Sequence, residues 1–436
     1  MRTSGTILLA PAILSALAAV AALAAEPAVL TLADAVERAL EANHALDRAR
    51  SEVAVADADV RRAVSLVKPR IDLDARATRN SPEVAIALQD LTATLLPRED
   101  WDARLRLRQP LYAGGQEWKA YRQSRIAAGG SRDGLRGAEE DLLLRLVADY
   151  LGVARGDALI AVETRSVELA TRRLGRAEVF FEAGEVTRVD VLRARAAIAA
   201  AERRLASARR LRETAAGRLR IDLALDGVVA VERPERPWPS PPPVAELEAR
   251  ALARPEVARA EKELEIATLE VARRRGARLP EVDAEALWTR QRANFPTDQY
   301  ASVSLLVSVP LYRGGRVAAE VAIARERERQ ASQALAELRL VVREGLRQAL
   351  LDRDDAATQL ALARDQLAAV EAEYAEIAAF YEALEATSLD VEVAELALAE
   401  ARRAGVEAAL DRDLAEAGVW HAAGGLKSAL REEHEP

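Results

Sequence analysis

Residues 110–115 read PLYAGG, and residues 310–315 read PLYRGG. Farther along the chain, residues 181–191 read FEAGEVTRVDV and residues 381–391 read YEALEATSLDV. Both pairs of matching segments are separated by the same 200 positions, from 110 to 310 and from 181 to 381. Insertions and deletions normally destroy such a constant offset. The sequence therefore contains an internal repeat whose landmarks are joined by segments of fixed length, as long helices in a rigid assembly would be.

The segments that precede these landmarks match at a different offset. Residues 43–69 correspond to residues 254–280, which lie 211 positions later. The difference between the two offsets gives the first repeat 11 extra residues, and these fall within Asn80–Asp100. Because the insertion is confined to one connection between predicted strands, we expect it to be a surface loop.

The composition excludes several classes of function. The 436 residues include no cysteine, so disulfides, thiolate metal sites and cysteine nucleophiles are absent. The three histidines, His44, His421 and His434, are too far apart in sequence to indicate a ligand cluster, and we expect no metal and no cofactor. The formal net charge of −8 arises from evenly mixed acidic and basic residues, which is not typical of a nucleic-acid-binding protein.

The beginning of the chain has the features of a secretory signal peptide. Arg2 is followed by an apolar run from Ile7, and small residues precede Glu26. A retained membrane anchor is the alternative interpretation, but Pro11 and the many alanines make the run a poor membrane span. We predict a signal peptide over residues 1–25, and no other apolar run has the length of a transmembrane helix.

Alternation of apolar and polar residues predicts four strands, two in each repeat. In residues 101–108, one tryptophan, one alanine and two leucines alternate with one aspartate and three arginines. Residues 71–78, 282–287 and 301–309 show the same period of two, which indicates strands with one apolar and one polar face. The four joints between helix and strand each carry a proline: Pro69, Pro110, Pro280 and Pro310. Because proline has no N–H to donate, we expect the ladders of hydrogen bonds to end at Pro110 and Pro310.

Alanine-rich composition predicts that most of the remaining chain is helical. The first structural repeat is predicted over residues 26–232. It begins with a helix, continues with a strand hairpin at 70–110, and ends with a pair of long helices over 116–225.

The second structural repeat is predicted over residues 244–423 and has the same plan. Its first helix is followed by a strand hairpin at 281–310 and by a long helix pair over 317–421. Six prolines make residues 233–243 a stiff linker between the repeats. We expect residues 424–436 to be a disordered polar tail.

The predicted strands indicate an oligomer in a membrane. Each has roughly the 9–11 residues with which a tilted β-strand crosses a bilayer. Four strands cannot close a barrel, since bacterial outer-membrane barrels have about eight or more. Open sheet edges in lipid would leave backbone groups unsatisfied, so the edges must pair with other copies of the chain. The polar face would then line a channel: Asp72, Asp74, Arg76, Arg104, Arg106, Arg108, Asp283, Glu285, Ser302, Ser304 and Ser308.

The duplicated landmarks resemble those of the outer-membrane efflux protein (TolC) family. The resemblance rests on the paired PLYxGG segments, the two turn segments that end in Asp-Val, Asn43 and Arg254-Pro255 in the helices that open the repeats, and the prolines before the odd-numbered strands. It implies a mainly α fold with transmembrane β-strands and two internal repeats per protomer. In such a homotrimer, a twelve-stranded β-barrel in the outer membrane is continued by a long periplasmic α-helical barrel.

The resemblance also implies a function and partners. The protein would be a passive exit duct in the outer membrane of a Gram-negative bacterium, with its helical part in the periplasm. Its partners would be outer-membrane lipid, a periplasmic adaptor (membrane fusion) protein and the inner-membrane transporter of a tripartite efflux pump or type I secretion system, with no nucleic acid. The cargo, whether drugs, metal ions or polypeptides, is selected by the pump and is not encoded in these motifs.

Position by position, the resemblance implies three groups of functional residues. Asp390 and Glu392 fall at the entrance gate, where an acidic ring around a symmetry axis would favour cations. The adaptor-docking turns contain Gly184, Val186, Thr187, Asp190, Leu384 and Thr387. The strand–helix corners contain Pro110, Gly114, Gly115, Pro310, Gly314 and Gly315. Asp390 is explained equally well as a first-turn acid that the helix dipole favours, and both interpretations can be true.

No arrangement of residues indicates an enzyme. Residues 424–428 read GGLKS and lack the glycine before lysine that a phosphate-binding loop needs. The alternative function is a periplasmic coiled-coil adaptor or scaffold, because most of the chain is predicted to be helical. An adaptor would lack the four alternating segments, so the strands favour the exit duct.

Overall fold

The described part of the protein covers nearly all of the chain after the predicted signal peptide. The computed structural model describes residues 29–88, 91–233, 238–292, 297–383 and 385–432. The predicted signal peptide, part of the proline-rich linker and Leu384 therefore lie outside the described residues.

The described residues form two compact units. We call the first the helical unit, and it contains residues 29–47, 137–254 and 342–432. We call the second the sheet unit, and it contains residues 48–136 and 255–341. Each unit therefore combines segments of both sequence repeats.

The described residues contain nine helices and eight strands. The helices are α1 Leu32–Ala42, α2 His44–Ser65, α3 Gln116–Glu182, α4 Arg188–Asp222, α5 Val244–Leu252, α6 Pro255–Gly276, α7 Arg316–Glu382, α8 Ser388–Ala422 and α9 Leu426–Glu432. The strands are β1 Val29–Leu30, β2 Arg70–Arg79, β3 Val84–Leu88, β4 Leu91–Leu96, β5 Glu99–Ala113, β6 Ala230–Val231, β7 Glu281–Gln291 and β8 Gln299–Ser308.

The long helices reproduce the sequence repeat residue by residue. Helices α3 and α7 have 67 residues each, and α4 and α8 have 35 residues each. At about 1.5 Å per residue, the longer pair measures roughly 100 Å. Charged residues are frequent on all four helices. Among the described residues, no helix combines the length and the apolar composition needed to cross a membrane.

The opening helix of each repeat is broken, whereas the sequence predicted one continuous helix in each. In the first repeat, Asn43 has an extended backbone between α1 and α2. Its Oδ1 accepts a 2.8 Å hydrogen bond from the N–H of Ala45, and its Nδ2 donates to the carbonyl of Asp222 at 2.9 Å. In the second repeat the break precedes Pro255, which begins α6 because a first helical position needs no N–H partner.

A two-stranded parallel sheet and a carboxyl pair lie in the helical unit. Strands β1 and β6 pair Val29 with Ala230, and strands of two residues leave no periodic pattern that sequence could reveal.

Nearby on α3, Asp149 forms a hydrogen bond with Asp222. Burial, reinforced by the charge of Asp222, raises the pKa of Asp149 to about 6.

The expectation of a disordered tail is wrong for residues 426–432, which form α9. Leu426, Ala429 and Leu430 are buried at helical spacing, and α9 contacts α1 and α8. The carboxylate of Glu140 accepts hydrogen bonds from the N–H groups of Leu426 and Lys427 at 3.1 and 3.4 Å. An anion at a helix N-terminus stabilises it, which explains why so short a helix forms here. Residues 433–436 lie outside the described residues.

The sheet unit contains a four-stranded antiparallel sheet in the order β2-β5-β7-β8. In its register, side chains of similar polarity lie next to one another across all four strands. One row runs through Leu73, Leu105, Trp288 and Ala301, and a row on the opposite face runs through Asp72, Arg106, Leu287 and Ser302. Ion pairs join neighbouring strands on the polar face, for example Arg108 with Asp283 at 3.0 Å. The sheet therefore has the apolar and polar faces that the alternation predicted.

The prediction that Pro110 ends its strand is wrong. Strand β5 continues to Ala113, and Pro110 pairs with Asp283 of β7 next to an irregularity in the register. Strand β2 begins opposite Arg108, so beyond that point β5 has a neighbour on one side only. The missing N–H of proline is tolerated at such an edge position.

The insertion in the first repeat is more ordered than the predicted surface loop. Strands β3 and β4 form a separate antiparallel hairpin in which Leu88 pairs with Leu91. The hairpin connects β2 with β5 without joining the four-stranded sheet. The extra residues therefore leave the register of the main sheet unchanged.

Candidate functional sites at the helix turns and the strand–helix corners

The turn between α3 and α4 is closed by a Schellman motif. The N–H of Glu185 donates to the carbonyl of Phe180 at 2.9 Å, and the N–H of Gly184 donates to Phe181 at 3.0 Å. Gly184 has a φ of +77°, a left-handed conformation that favours glycine. This geometry explains the glycine that the sequence shows in the first repeat.

The turn between α7 and α8 repeats the outer hydrogen bond of that motif. The N–H of Glu385 donates to the carbonyl of Phe380 at 2.8 Å. Leu384, the counterpart of Gly184, lies outside the described residues. The two turns therefore share the backbone bond that ends the long helix.

Both helices that leave the turns begin with a capping box. In the first repeat, Asp190 Oδ2 accepts hydrogen bonds from the N–H and the hydroxyl of Thr187, at 3.0 and 2.7 Å. In the second repeat, Asp390 Oδ2 accepts the same two bonds from Thr387 at 2.9 and 2.6 Å. Thr187 and Thr387 have the same extended backbone, with φ −88° and ψ 161°. The interpretation of Asp390 as a first-turn acid therefore has a structural basis.

The cap also fixes the charge of Asp390. Hydrogen bonds from Thr387 lower the pKa of the Asp390 carboxyl below its ordinary value, so the group is ionised at neutral pH. The side chain of Asp390 is exposed, and Oδ1 receives none of the capping bonds. A capped carboxylate can thus still present a negative charge to solvent. The assignment of Asp390 to an entrance gate stays a prediction.

Glu392 occupies a different environment from Asp390. Residues two positions apart on a helix do not share a face. Glu392 is half-buried and lines an open pocket of about 180 Å³ together with Arg173, Arg204 and Glu395. The structure therefore does not bring the two predicted gate residues together, and only Asp390 has an exposed position beside the turn.

The two turns contact each other inside the helical unit. The hydroxyl of Ser388 donates to Asp190 Oδ1 at 3.1 Å. The rings of Phe180 and Tyr381 meet edge to face with their centroids 6.2 Å apart. Asp190 thus connects the cap of its own helix with the first residue of α8. This connection adds a further cause that lowers the pKa of Asp190.

Ion pairs join α3 to α8 along the helices behind the turns. Arg173 contacts Glu395 at 2.9 Å, and the two side chains are only 5% and 13% exposed. Farther from the turns, Glu163 is buried and bonds both Arg204 and Arg403, at 3.1 and 2.6 Å. The sequence alone does not single out these residues, because arginines and glutamates are frequent on every face of the long helices. Burial raises the pKa of Glu395 and outweighs the opposing effect of the Arg173 charge.

The strand–helix corners have one backbone geometry and two environments. Gly114 and Gly115 have φ values of +62° and +71°, and Gly314 and Gly315 have +59° and +79°. A Cβ built on Gly114 would lie 2.1 Å from the carbonyl oxygen of Gly276, so no side chain fits there. Apart from each glycine and its two neighbours in the chain, no atom of the described residues lies within 4 Å of a Cβ built on Gly314 or Gly315.

Comparisons with known proteins agree with this architecture. A family model described as outer membrane efflux protein matches residues 35–223 and 248–425, which include both repeats. The outer membrane efflux protein BepC of Brucella suis biovar 1 (strain 1330) is 26% identical over 349 residues, covering 78% of this chain and 74% of BepC.

Solved structures show the same fold at lower identity. CusC superimposes with a TM-score of 0.80 and 16% identity, over 92% of this chain and 93% of CusC. The CmeC outer membrane channel of Campylobacter jejuni gives a TM-score of 0.79 and 18% identity, over 91% and 86% of the two chains. The likeness to CusC and CmeC establishes the fold, and the match of the family model to both repeats shows that this chain belongs to the outer membrane efflux protein family.

Proposed function

We propose that this protein is the outer-membrane exit duct of a tripartite efflux pump or a type I secretion system. It conducts cargo passively from an inner-membrane pump across the periplasm and the outer membrane, and it has no enzymatic activity of its own. The observation that carries this proposal is the four-stranded sheet, which exposes an apolar face and has a charged opposite face. An apolar face suits lipid, and a charged face suits a water-filled channel.

The duct is a homotrimer in this proposal. Within the described residues, β2 and β8 each pair with a single strand and are the two edges of the sheet. Edges in lipid cost several kcal/mol per unsatisfied backbone group. Three copies supply twelve strands, which close a barrel and leave no edge. The membrane is the outer membrane of a Gram-negative bacterium, and the helical part of the chain lies in the periplasm.

The paired turns are the docking site of a periplasmic adaptor protein. Apolar side chains beside both turns are exposed: Val179, Phe181, Val189, Leu192, Phe380, Leu389, Val393 and Leu396. Exposed apolar patches of this kind mark protein interaction surfaces. Gly184, Val186, Thr187 and Thr387 shape the turns that carry this patch, and Leu384 is assigned to it by the sequence resemblance.

Asp390 is the gate residue of the duct in this proposal. Three ionised carboxylates around one axis would repel one another and attract cations. The capping bonds from Thr387 support this role because they keep the carboxyl ionised.

Fractionation and planar-bilayer recordings test the proposed function. The mature protein is expected in the outer-membrane fraction, soluble only in detergent, trimeric on mild gels, and able to open long-lived ionic channels after reconstitution. Recovery of a monomer from the periplasmic fraction without detergent would contradict the proposal and favour the adaptor or scaffold alternative. Copurification with an inner-membrane transporter and its adaptor would identify the pump.

A further inference from the structure

The open pocket that Glu392 lines is formed by three helices of the helical unit. It has a volume of about 180 Å³, and each of α3, α4 and α8 contributes one face over two helical turns. On α4, for example, the lining residues are Ala197, Ala200, Ala201 and Arg204, at the spacing of neighbours on one face of a helix. The lining includes five alanines in all, and their short side chains leave the space between the helices open.

Ion pairs lie at the two ends of this pocket. On the side of the turns, Arg173 of α3 bonds Glu395 of α8 at 2.9 Å. On the other side, Arg204 of α4 bonds Glu163 of α3 at 3.1 Å. The two pairs are separated by ten residues of α3, or about 15 Å at about 1.5 Å per residue. Since alanine and leucine side chains line the space between them, the pocket has charged ends and an apolar middle.

Two polar groups on the turn side of the pocket have no partner among the described residues. The Nε of Arg173 is buried and donates no hydrogen bond to any described residue, and the whole side chain is only 5% exposed. The carboxylate of Glu392 is half-buried, and within the described residues it accepts no hydrogen bond and forms no ion pair. Glu392 lies one turn before Glu395 on the same helix face. Because a buried donor without an acceptor costs free energy, the turn side of the pocket is suited to a polar ligand group.

We propose that this pocket binds a small amphipathic amine, with its ammonium group on Glu392, an oxygen acceptor on the Nε of Arg173, and its apolar body along the alanines. The negative charge of Glu392 selects a cation, and the free N–H of Arg173 selects a molecule that also carries a hydroxyl or carbonyl oxygen. The pocket is smaller than the 300–1,000 Å³ or so of a drug-sized site, so the ligand has roughly one ring.

This inference gives Glu392 a role different from the entrance gate to which the sequence resemblance assigned it. The site lies within one copy of the chain, so it depends neither on the trimer nor on the conduction of cargo. A ligand bound there contacts α3, α4 and α8 together, and it stabilises their packing because it binds only the folded chain.

L-Phenylalaninol is the probe that tests this site. It carries an ammonium group, a neighbouring hydroxyl and one phenyl ring, about eleven non-hydrogen atoms in all, so the dissociation constant should be on the order of 1 mM. A titration of the detergent-solubilised full-length protein, followed by saturation-transfer difference NMR with empty micelles as the blank, measures this constant. 3-Phenylpropan-1-ol lacks the amine and should bind wild type about tenfold more weakly, which is the loss expected for a hydrogen bond to a charged group.

Two variants locate the probe. Glu392→Gln keeps the shape of the side chain and removes its charge, so the affinity for phenylalaninol should fall about tenfold while that for 3-phenylpropan-1-ol stays the same. Glu400→Gln removes an exposed carboxylate from the same helix outside the pocket and is the matched control. Ala200→Leu fills the pocket and should abolish binding of both molecules, whereas Ala199→Leu adds the same bulk at an exposed neighbouring position and should not.

Three results would overturn the proposal. Wild-type protein that gives no saturable phenylalaninol signal above the blank, at about ten times the expected dissociation constant, has no such site. Equal affinities of wild type and Ala200→Leu would place the probe elsewhere. Equal affinities of wild type and Glu392→Gln would show that this carboxylate does not hold the amine, and this variant still tests the site if Ala200→Leu does not fold. None of these results would affect the proposed duct, which fractionation and conductance test separately.

Discussion

The contact between Gly114 and Gly276 makes a sharp prediction for the sheet unit. Gly114→Ala puts a methyl group 2.1 Å from the carbonyl oxygen of Gly276, which is far inside contact distance, and 3.2 Å from the Cβ of Leu279. The adjacent Gly115→Ala is the matched control, because its φ is also left-handed and its new Cβ meets only the flexible Lys119 Nζ at 3.2 Å.

The expected magnitudes separate the two variants. A non-glycine residue in the left-handed region costs about 1–2 kcal/mol, and this cost applies to both. Overpacking against backbone adds about 1–3 kcal/mol, and this cost applies to Gly114→Ala alone. We expect Gly114→Ala to destabilise the sheet unit by about 2–5 kcal/mol and Gly115→Ala by about 1–2 kcal/mol.

Urea unfolding of the detergent-solubilised protein, followed by tryptophan fluorescence, measures the difference. Three of the five tryptophans, Trp101, Trp118 and Trp288, lie in the sheet unit and report on it. The midpoint should fall clearly further for Gly114→Ala than for Gly115→Ala at an unchanged slope with urea concentration. Equal midpoints for the two variants would contradict this prediction, because they would show that the close approach of the Gly276 backbone does not constrain the corner.

Three further predictions concern the helical unit. Asp390→Asn retains an oxygen for the cap but removes the charge, so the cation preference of the channel in planar bilayers should fall. Asp190→Asn should change the cation preference less. Identical reversal potentials in wild type and Asp390→Asn would remove Asp390 from the gate. Arg173→Met leaves the buried carboxylate of Glu395 without its ion-pair partner and should destabilise the helical unit by about 3 kcal/mol. Adding Glu395→Leu should restore the lost stability. A circular dichroism melt of the single variant that matches wild type would contradict this prediction. The pKa of Asp149 is raised to about 6 in the folded state, so the folded state still holds a proton that the unfolded state releases near pH 4. The stability that this proton contributes is therefore present below pH 4 and is lost as the pH rises through 6. Asp149→Asn should remove that part of the pH dependence, of order 1 kcal/mol after allowance for solvent screening, and a denaturation profile with the wild-type slope between pH 4 and 7 would count against it.

Much of the fold and part of the candidate site are encoded in local patterns of the sequence. The constant offset of 200 predicted helices of equal length, and α3 and α7 are equal residue by residue. The period of two predicted four strands and their faces, because successive side chains of any strand point to opposite sides. The place of Asp390 in the first turn of a helix was also predicted, whereas its capping bonds with Thr387 appear only in the structure. Each of these features depends on residues close together in the chain.

The remaining features depend on residues far apart in the chain, and they are determined by how the folded chain packs. The break at Asn43 is set by a hydrogen bond to Asp222, and the ordered end of the chain by Glu140. The pair Arg173 and Glu395 differs from dozens of exposed charges only in its burial, which no local pattern records. The order of the strands likewise depends on which distant strand each one pairs with, and β5 of one repeat pairs with β7 of the other. Local periodicity determines which element forms, but packing between distant segments determines what that element contacts.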